Sequence, residues 1–182
     1  MTGSLIPAHI SLPALTLVVG GAKSGKSGLA ERLITASARP RTYIATAEGW
    51  DAEMRARIAD HRRSRGPDWT TVEAPLNLGA ALDAVPVAHA VLVDCATLWL
   101  TNHLLADHDT AAEGAALLAA LSRCKAPVVV VSNEVGWGIV PDNALARRFR
   151  DAQGRLNQDL AAQAGLVLGV MAGLPFVLKG SL

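Results

Sequence analysis

The chain has 182 residues, 51% hydrophobic and 18% charged, a balance that closes a packed core and excludes a disordered or fibrous chain. Its 17 basic and 16 acidic residues leave a formal charge of +1, so there is no broad cationic field to hold a polyanion, and nucleic acid is not an expected partner. Cys95 and Cys124 show no CxxC spacing and read as reduced thiols of a cytoplasmic protein.

Residues 1–14 have no basic n-region and only a broken apolar segment; they are expected as a flexible leader, not a secretory signal. From residue 15 onward, short apolar runs alternate with longer helical patterns. Buried strands are predicted at 15–19, 42–46, 90–93, 128–132 and 166–170, with a weaker one at 69–73. Helices are predicted at 28–38, 51–65, 78–85, 111–124 and 143–164. The most apolar stretch, 164–178, is too short for membrane insertion and is interrupted by Gly165, Gly169, Gly173 and Pro175; it reads as buried strand. The alternation predicts an α/β fold of three layers with a largely parallel central sheet and a single catalytic domain over 15–182.

The run LTLVVGGAKSGKSGLAERL holds G-x-x-x-x-G-K-S directly after a strand and at the opening of a helix. Gly20, Gly21, Ala22, Lys23, Ser24 and Gly25 form a loop whose backbone N–H groups face a phosphate, and the helix adds its positive end. Lys26 reaches the β and γ phosphates, and the Ser27 hydroxyl is an expected Mg²⁺ ligand. A second ligand, a carboxylate at the end of a neighbouring buried strand, is expected in Asp94; the plainer reading is a residue that ends a strand or caps the next helix. The motif makes the expected three-layer fold one of the P-loop NTPase type and indicates a nucleoside triphosphate without naming the reaction.

In the 51–65 helix, Arg57, His61 and Arg65 recur at i, i+4 and i+8 and share one flank. His61 also borders the apolar side made by Met54 and Ile58. Two readings stay open on spacing alone. One is a solvated Arg-rich face with a half-buried histidine. The other is a catalytic imidazole that flanking guanidiniums keep neutral and nucleophilic. Further on, Asn133 and Glu134 stand outside the carboxyl end of a strand, where parallel-sheet enzymes place ligand groups. Trp137, between Gly136 and Gly138, is suited to cover an apolar substrate; an ordinary loop entering the next helix is the alternative. Arg147, Arg148 and Arg150 are either surface charges or phosphate ligands.

Taken together, GGAKSGKS at 20–27, YIAT at 43–46, D-x-E-M-x-x-R-I-x-x-H-R at 51–62, W-x-T-x-E at 69–73, NEVGWGIVP at 133–141 and LARRFRDAQGRLNQDLA at 145–161 resemble the bifunctional adenosylcobinamide kinase / adenosylcobinamide-phosphate guanylyltransferase family of cobalamin biosynthesis. The resemblance runs from about residue 15 to 179. It implies phosphorylation of the aminopropanol hydroxyl of a corrinoid substrate by ATP or GTP, then transfer of GMP from GTP to that phosphate. By position it makes His61 the guanylylated residue, and puts Arg62, Arg63, Ser64 and Arg65, with Ala45, Thr46, Ala47, Glu73 and Asp94, at or near nucleotide contacts. It also implies a homotrimer. Lys23 departs from the family's usual Arg, keeping the charge but losing a bidentate fork. Two other activities remain compatible with the cradle alone: a P-loop kinase of another small metabolite, and a regulatory NTPase switch.

Overall fold

The computed structural model describes residues 7–48 and 66–182. Twelve elements follow in order among them: β1 (Leu15–Gly20), α1 (Lys26–Ala36), β2 (Arg41–Ala45), β3 (Trp69–Glu73), α2 (Leu78–Asp83), β4 (Ala90–Asp94), α3 (Ala96–Leu105), α4 (Thr110–Arg123), β5 (Val128–Asn133), α5 (Ala144–Gln163), β6 (Leu166–Met171) and β7 (Leu174–Lys179). The seven strands form one sheet in the order β3-β2-β4-β5-β1-β6-β7. All pairings are parallel except β6 with the edge strand β7.

The inner strands are apolar nearly end to end, as β5 shows with Val128–Val131, because helices cover both faces of the sheet. On one face Val18, Leu92, Val129 and Leu168 pack against Leu29, Leu33 and Ile34 of α1. On the other, Leu17, Val91, Val93 and Val130 pack with Leu78 and Leu82 of α2, Trp99 and Leu100 of α3, Leu117 and Leu121 of α4, and Leu156 and Leu160 of α5. Two helices start on side-chain caps: Asp109 accepts from the N–H groups of Ala111 and Ala112, and Asn143 from that of Ala146.

Three expectations change. The expected leader is tied to the domain from residue 10: the Ile10 N–H donates to Ala36 O at 3.1 Å, and Ile10 and Leu12 pack against the α1 cluster. The 164–178 stretch is a hairpin, not one buried strand. Ala172 and Gly173 take left-handed backbone (φ 52° and 79°) at its turn, and most of β7 is exposed. Helix α3 has no counterpart in the predicted elements, because Ala96, Thr97, Trp99, Leu100, Asn102, His103 and Leu104 are buried on nearly all sides, which erases the apolar–polar alternation that marks a surface helix. The 51–65 helix lies outside the described residues.

Candidate nucleotide site

Strand register assembles the site. Gly20 pairs with Asn133, and Ala45 pairs with both Asp94 and Glu73, so the carboxyl ends of β1, β2, β3, β4 and β5 bring their ligand-type residues to one edge of the sheet. The strand carrying Asp94 is not the direct neighbour of β1, as the sequence reading had it; β5 lies between them.

The 20–27 loop takes a cradle conformation. Lys23 and Gly25 adopt left-handed backbone at φ 55° and 96°, and the Ser24 N–H closes on Gly21 O at 3.2 Å. A Cβ at Gly20 would collide with Val170 O and Ser24 Oγ, so only glycine lets the loop leave β1 this close to β6. The β6–β7 turn backs it: the Gly173 N–H donates to Ser24 O at 2.9 Å. Ser24 Oγ is buried and finds no hydrogen-bond partner among the described residues, an orphan that a ligand's oxygen would satisfy. Lys26, 8% exposed, donates from Nζ to Gly21 O at 3.0 Å. Burial lowers its pKa, against the opposing pull of Cys95 and Asp94.

Asp94 is fixed from two sides. The Tyr43 hydroxyl donates to its Oδ2 at 3.0 Å. Next to it Thr46, fully buried, clasps Cys95: the Thr46 hydroxyl donates to Cys95 O at 2.7 Å and accepts from the Cys95 N–H at 2.8 Å. Thr46 O in turn accepts from Asn102 Nδ2 at 2.8 Å, and its N–H reaches Asp94 O at 3.2 Å. All the polar groups of Thr46 are therefore engaged within the protein, which makes it a brace between β2 and β4.

Asn133 is held just as closely. Its N–H donates to Thr97 Oγ1 at 2.7 Å, and its O accepts from Asn157 Nδ2 at 3.0 Å. Asn157 belongs to a buried trio in which Ser132 Oγ donates to Asn157 Oδ1 at 2.6 Å and Gln153 Nε2 donates to Ser132 Oγ at 2.9 Å. Asn133 Oδ1 is left buried without a partner among the described residues. The Glu134 N–H reaches back to Gly20 O at 3.1 Å, tying this strand end to the cradle, whereas the Glu134 carboxylate accepts from its own loop at the Gly136 N–H, 2.7 Å. Trp137 is 77% exposed and Ile139 97%. Arg147 braces this loop through Pro141 O and Asp142 O, and Arg150 pairs with Asp151. An open groove of about 400 Å³ runs from Gly136 along Arg150, Asp151, Gly154 and Arg155 of α5.

Thus Gly20 to Ser27, Ala45, Thr46, Ala47, Asp94, Asn133 and Glu134 lie along the carboxyl-end edge of the sheet, with Glu73 at its far side, four strand positions from the cradle. His61, Arg62, Arg63, Ser64 and Arg65 lie outside the described residues. Sequence reasoning missed Thr97, Asn102, Gln153 and Asn157 as braces. Gln153 and Asn157 both sit in the 145–161 run, but Ser132 and Asn133, which they hold, are distant in the chain.

A family profile described as cobinamide kinase / cobinamide phosphate guanyltransferase matches residues 16–178. The chain is 47% identical over 167 residues to the bifunctional adenosylcobalamin biosynthesis protein CobP of Pseudomonas aeruginosa, covering 90% of this chain and 96% of that one. To the bifunctional adenosylcobalamin biosynthesis protein CobU of Escherichia coli it is 44% identical over 181 residues, covering 91% and 99%. Similar solved structures include an ATPase of a type III secretion system, with TM-score 0.55 at 10% identity over 92% of this chain and 56% of that one. Another is the flagellar accessory protein FlaH of Methanocaldococcus jannaschii, with TM-score 0.50 at 11% identity over 92% and 78%; at such identities the likeness concerns the fold alone. With the profile spanning the chain from β1 to β7 and two relatives near half identity over nine-tenths of it, the chain belongs to the cobinamide kinase / cobinamide phosphate guanyltransferase family.

Proposed function

We propose that this chain phosphorylates the aminopropanol hydroxyl of adenosylcobinamide with ATP or GTP, and then transfers GMP from GTP to the new phosphate, releasing pyrophosphate and giving adenosylcobinamide-GDP. The observation that carries the reading is the family match over residues 16–178, which includes both the cradle and the Asn133 loop.

For the first reaction the chain's work is positioning and charge. The backbone N–H groups of residues 20–27 cradle the phosphates. Lys26 Nζ exchanges Gly21 O for β and γ oxygens, regaining as ion pairs the solvation it lost on burial. The donor set of Ser27 hydroxyl and Asp94 carboxylate is all oxygen and hard, which fits Mg²⁺; when bound, that ion neutralises charge on the phosphates. Tyr43 and Thr46 keep Asp94 aimed. Asn133, rigid in its backbone and with a free buried acceptor, is suited to orient the substrate hydroxyl. Glu134 shapes the loop that carries Trp137, which covers the apolar part of the corrinoid.

For the second reaction, neutral His61 attacks the α-phosphorus of GTP and pyrophosphate leaves. The cobinamide phosphate then displaces histidine from the guanylyl group. Arg62, Arg63, Ser64 and Arg65, together with Ala45, Ala47 and Glu73, contact the nucleotide in this account. A cytoplasmic homotrimer is part of the same reading and rests on the resemblance; light scattering on the purified chain tests it.

The direct experiment incubates the protein with adenosylcobinamide, ATP, GTP and Mg²⁺ and follows the corrinoid by mass. Successive appearance of the phosphate and the GDP derivative is expected. Nucleotide hydrolysis with unchanged corrinoid would overturn the proposal.

A further inference from the structure

His103, His108 and Glu113 lie where α3 hands over to α4, and their ligand atoms come within 4.8 Å of one another. Two caps bring them together. At the end of α3, Asp107 takes left-handed backbone at φ 56°. The His108 N–H donates to His103 O at 3.0 Å and the Asp107 N–H to Leu104 O at 3.2 Å. This paired pattern folds residue 108 back over residue 103. Asp109 then caps α4, and the Glu113 N–H closes on Asp109 O at 3.0 Å, setting Glu113 one turn along on the same side.

The imidazoles meet in an unusual way. His103 Nδ1 and His108 Nδ1 face each other at 2.9 Å, with Glu113 Oε2 3.7 Å from His103 Nδ1. His103 is buried, its ring packed at a tilt of 58° with its centroid 4.5 Å from that of Trp99, and its Nε2 lies 3.2 Å from Leu76 O. A carbonyl can only accept, so in the neutral ring Nε2 carries the proton and Nδ1 turns its lone pair to His108 and Glu113. A ring nitrogen anchored through N–H to a backbone carbonyl, with the other nitrogen free, is the usual support of a metal-bound histidine. The charge surroundings agree: from Ala96 to Ser122 the chain has no Lys or Arg and three carboxylates, Asp107, Asp109 and Glu113.

We propose that His103 Nδ1, His108 Nδ1 and Glu113 form a binding site for a borderline divalent cation of the zinc type, separate from the nucleotide's Mg²⁺. Two imidazoles and a carboxylate select Zn²⁺ over Mg²⁺ or Ca²⁺ by ligand type. Metal–nitrogen bonds of about 2.0–2.1 Å in tetrahedral geometry separate two nitrogens by about 3.3 Å, so the rings need to open by only a few tenths of an ångström from 2.9 Å. His108 is exposed and can make that adjustment. The site has three protein ligands and a fourth position toward solvent. It links Leu76, the end of α3 and the first turn of α4, so its occupancy stabilises that junction.

The test uses the untagged full chain stripped by chelator and free of nucleotide, titrated with Zn²⁺ by calorimetry and by thermal melting. Wild type is expected to bind Zn²⁺ at this site, with a melting temperature raised by about 5–10 °C at a metal concentration near 100 times Kd. His108→Ala and Glu113→Gln, at exposed and half-exposed positions, are expected to fold and to lose on the order of 10- to 100-fold in Zn²⁺ affinity, while His89→Ala binds as wild type does. Zn²⁺ binding and stabilisation unchanged in His108→Ala, or no binding by wild type up to about millimolar Zn²⁺, would overturn the proposal and leave the three residues as a hydrogen-bonded cluster.

Discussion

Replacing Thr46 by valine puts a methyl group where the hydroxyl stands, so no cavity opens; the clasp on Cys95 is lost, and the methyl must also move back from Cys95 O and N, which lie at hydrogen-bond distance. That hydroxyl both donates to Cys95 O and accepts from the Cys95 N–H, at 2.7 and 2.8 Å, in a place with no exposure to water. Valine leaves two buried backbone groups unsatisfied at about 1–3 kcal/mol each, or roughly 2–6 kcal/mol together. For a chain of this length about 2–4 °C are lost per kcal/mol, so the melting temperature should fall by about 4–24 °C. Asp94, the proposed Mg²⁺ ligand, immediately precedes the clasped residue, and loosening it should lower phosphorylation of the corrinoid by about 10- to 100-fold, the size of effect seen when a brace behind a metal ligand is lost. Thr46→Ser restores the hydroxyl at the cost of a methyl group and should recover most of the activity. Melting of Thr46→Val within about 2 °C of wild type, with unchanged turnover, would refute the argument that this residue braces the site.

Lys26→Ala removes a cation that burial already disfavours, so the fold should stay intact while kinase turnover falls by orders of magnitude, measured as corrinoid phosphate formed per chain. Gly20→Ala forces a methyl group against Val170 O and Ser24 Oγ and should cost about 1–3 kcal/mol in urea unfolding, with weakened nucleotide binding. Trp137→Ala, at an exposed position, should leave stability within about 0.5 kcal/mol and raise KM for the corrinoid more than for the nucleotide; equal changes in both would reduce the loop to scaffolding.

The cradle was legible because its chemistry is local: glycines, Lys26 and Ser27 sit within eight residues, and the flanking strand and helix announce themselves by apolar pattern. The parallel sheet was legible for the same reason, since Val128–Val131 and Ala90–Val93 are short, Val-rich apolar runs of the kind that fill a strand buried on both faces. What escaped depends on partners far along the chain. Thr97 holds Asn133 across 36 residues and Asn102 holds Thr46 across 56, and neither leaves a mark in the local pattern. Helix α3 escaped because burial on nearly all sides removes the period that reveals a helix. The β6–β7 hairpin escaped because its turn relies on left-handed backbone at Ala172 as well as at Gly173. The three groups around His103 come together through a helix cap, not through a recurring spacing.

The two proposed reactions use different segments of the chain, so one measurement separates them. Wild type and His61→Ala are each incubated with α-labelled GTP and Mg²⁺, followed by adenosylcobinamide and ATP. Label on protein is measured as an acid-labile, alkali-stable adduct, and the corrinoid phosphate and corrinoid GDP derivative are measured on the same sample. Wild type is expected to carry label and make both products. His61→Ala, with the cradle and Asp94 untouched, is expected to make the phosphate at a near-normal rate and to form neither adduct nor GDP derivative. A labelled His61→Ala chain that still makes the GDP derivative would contradict the account.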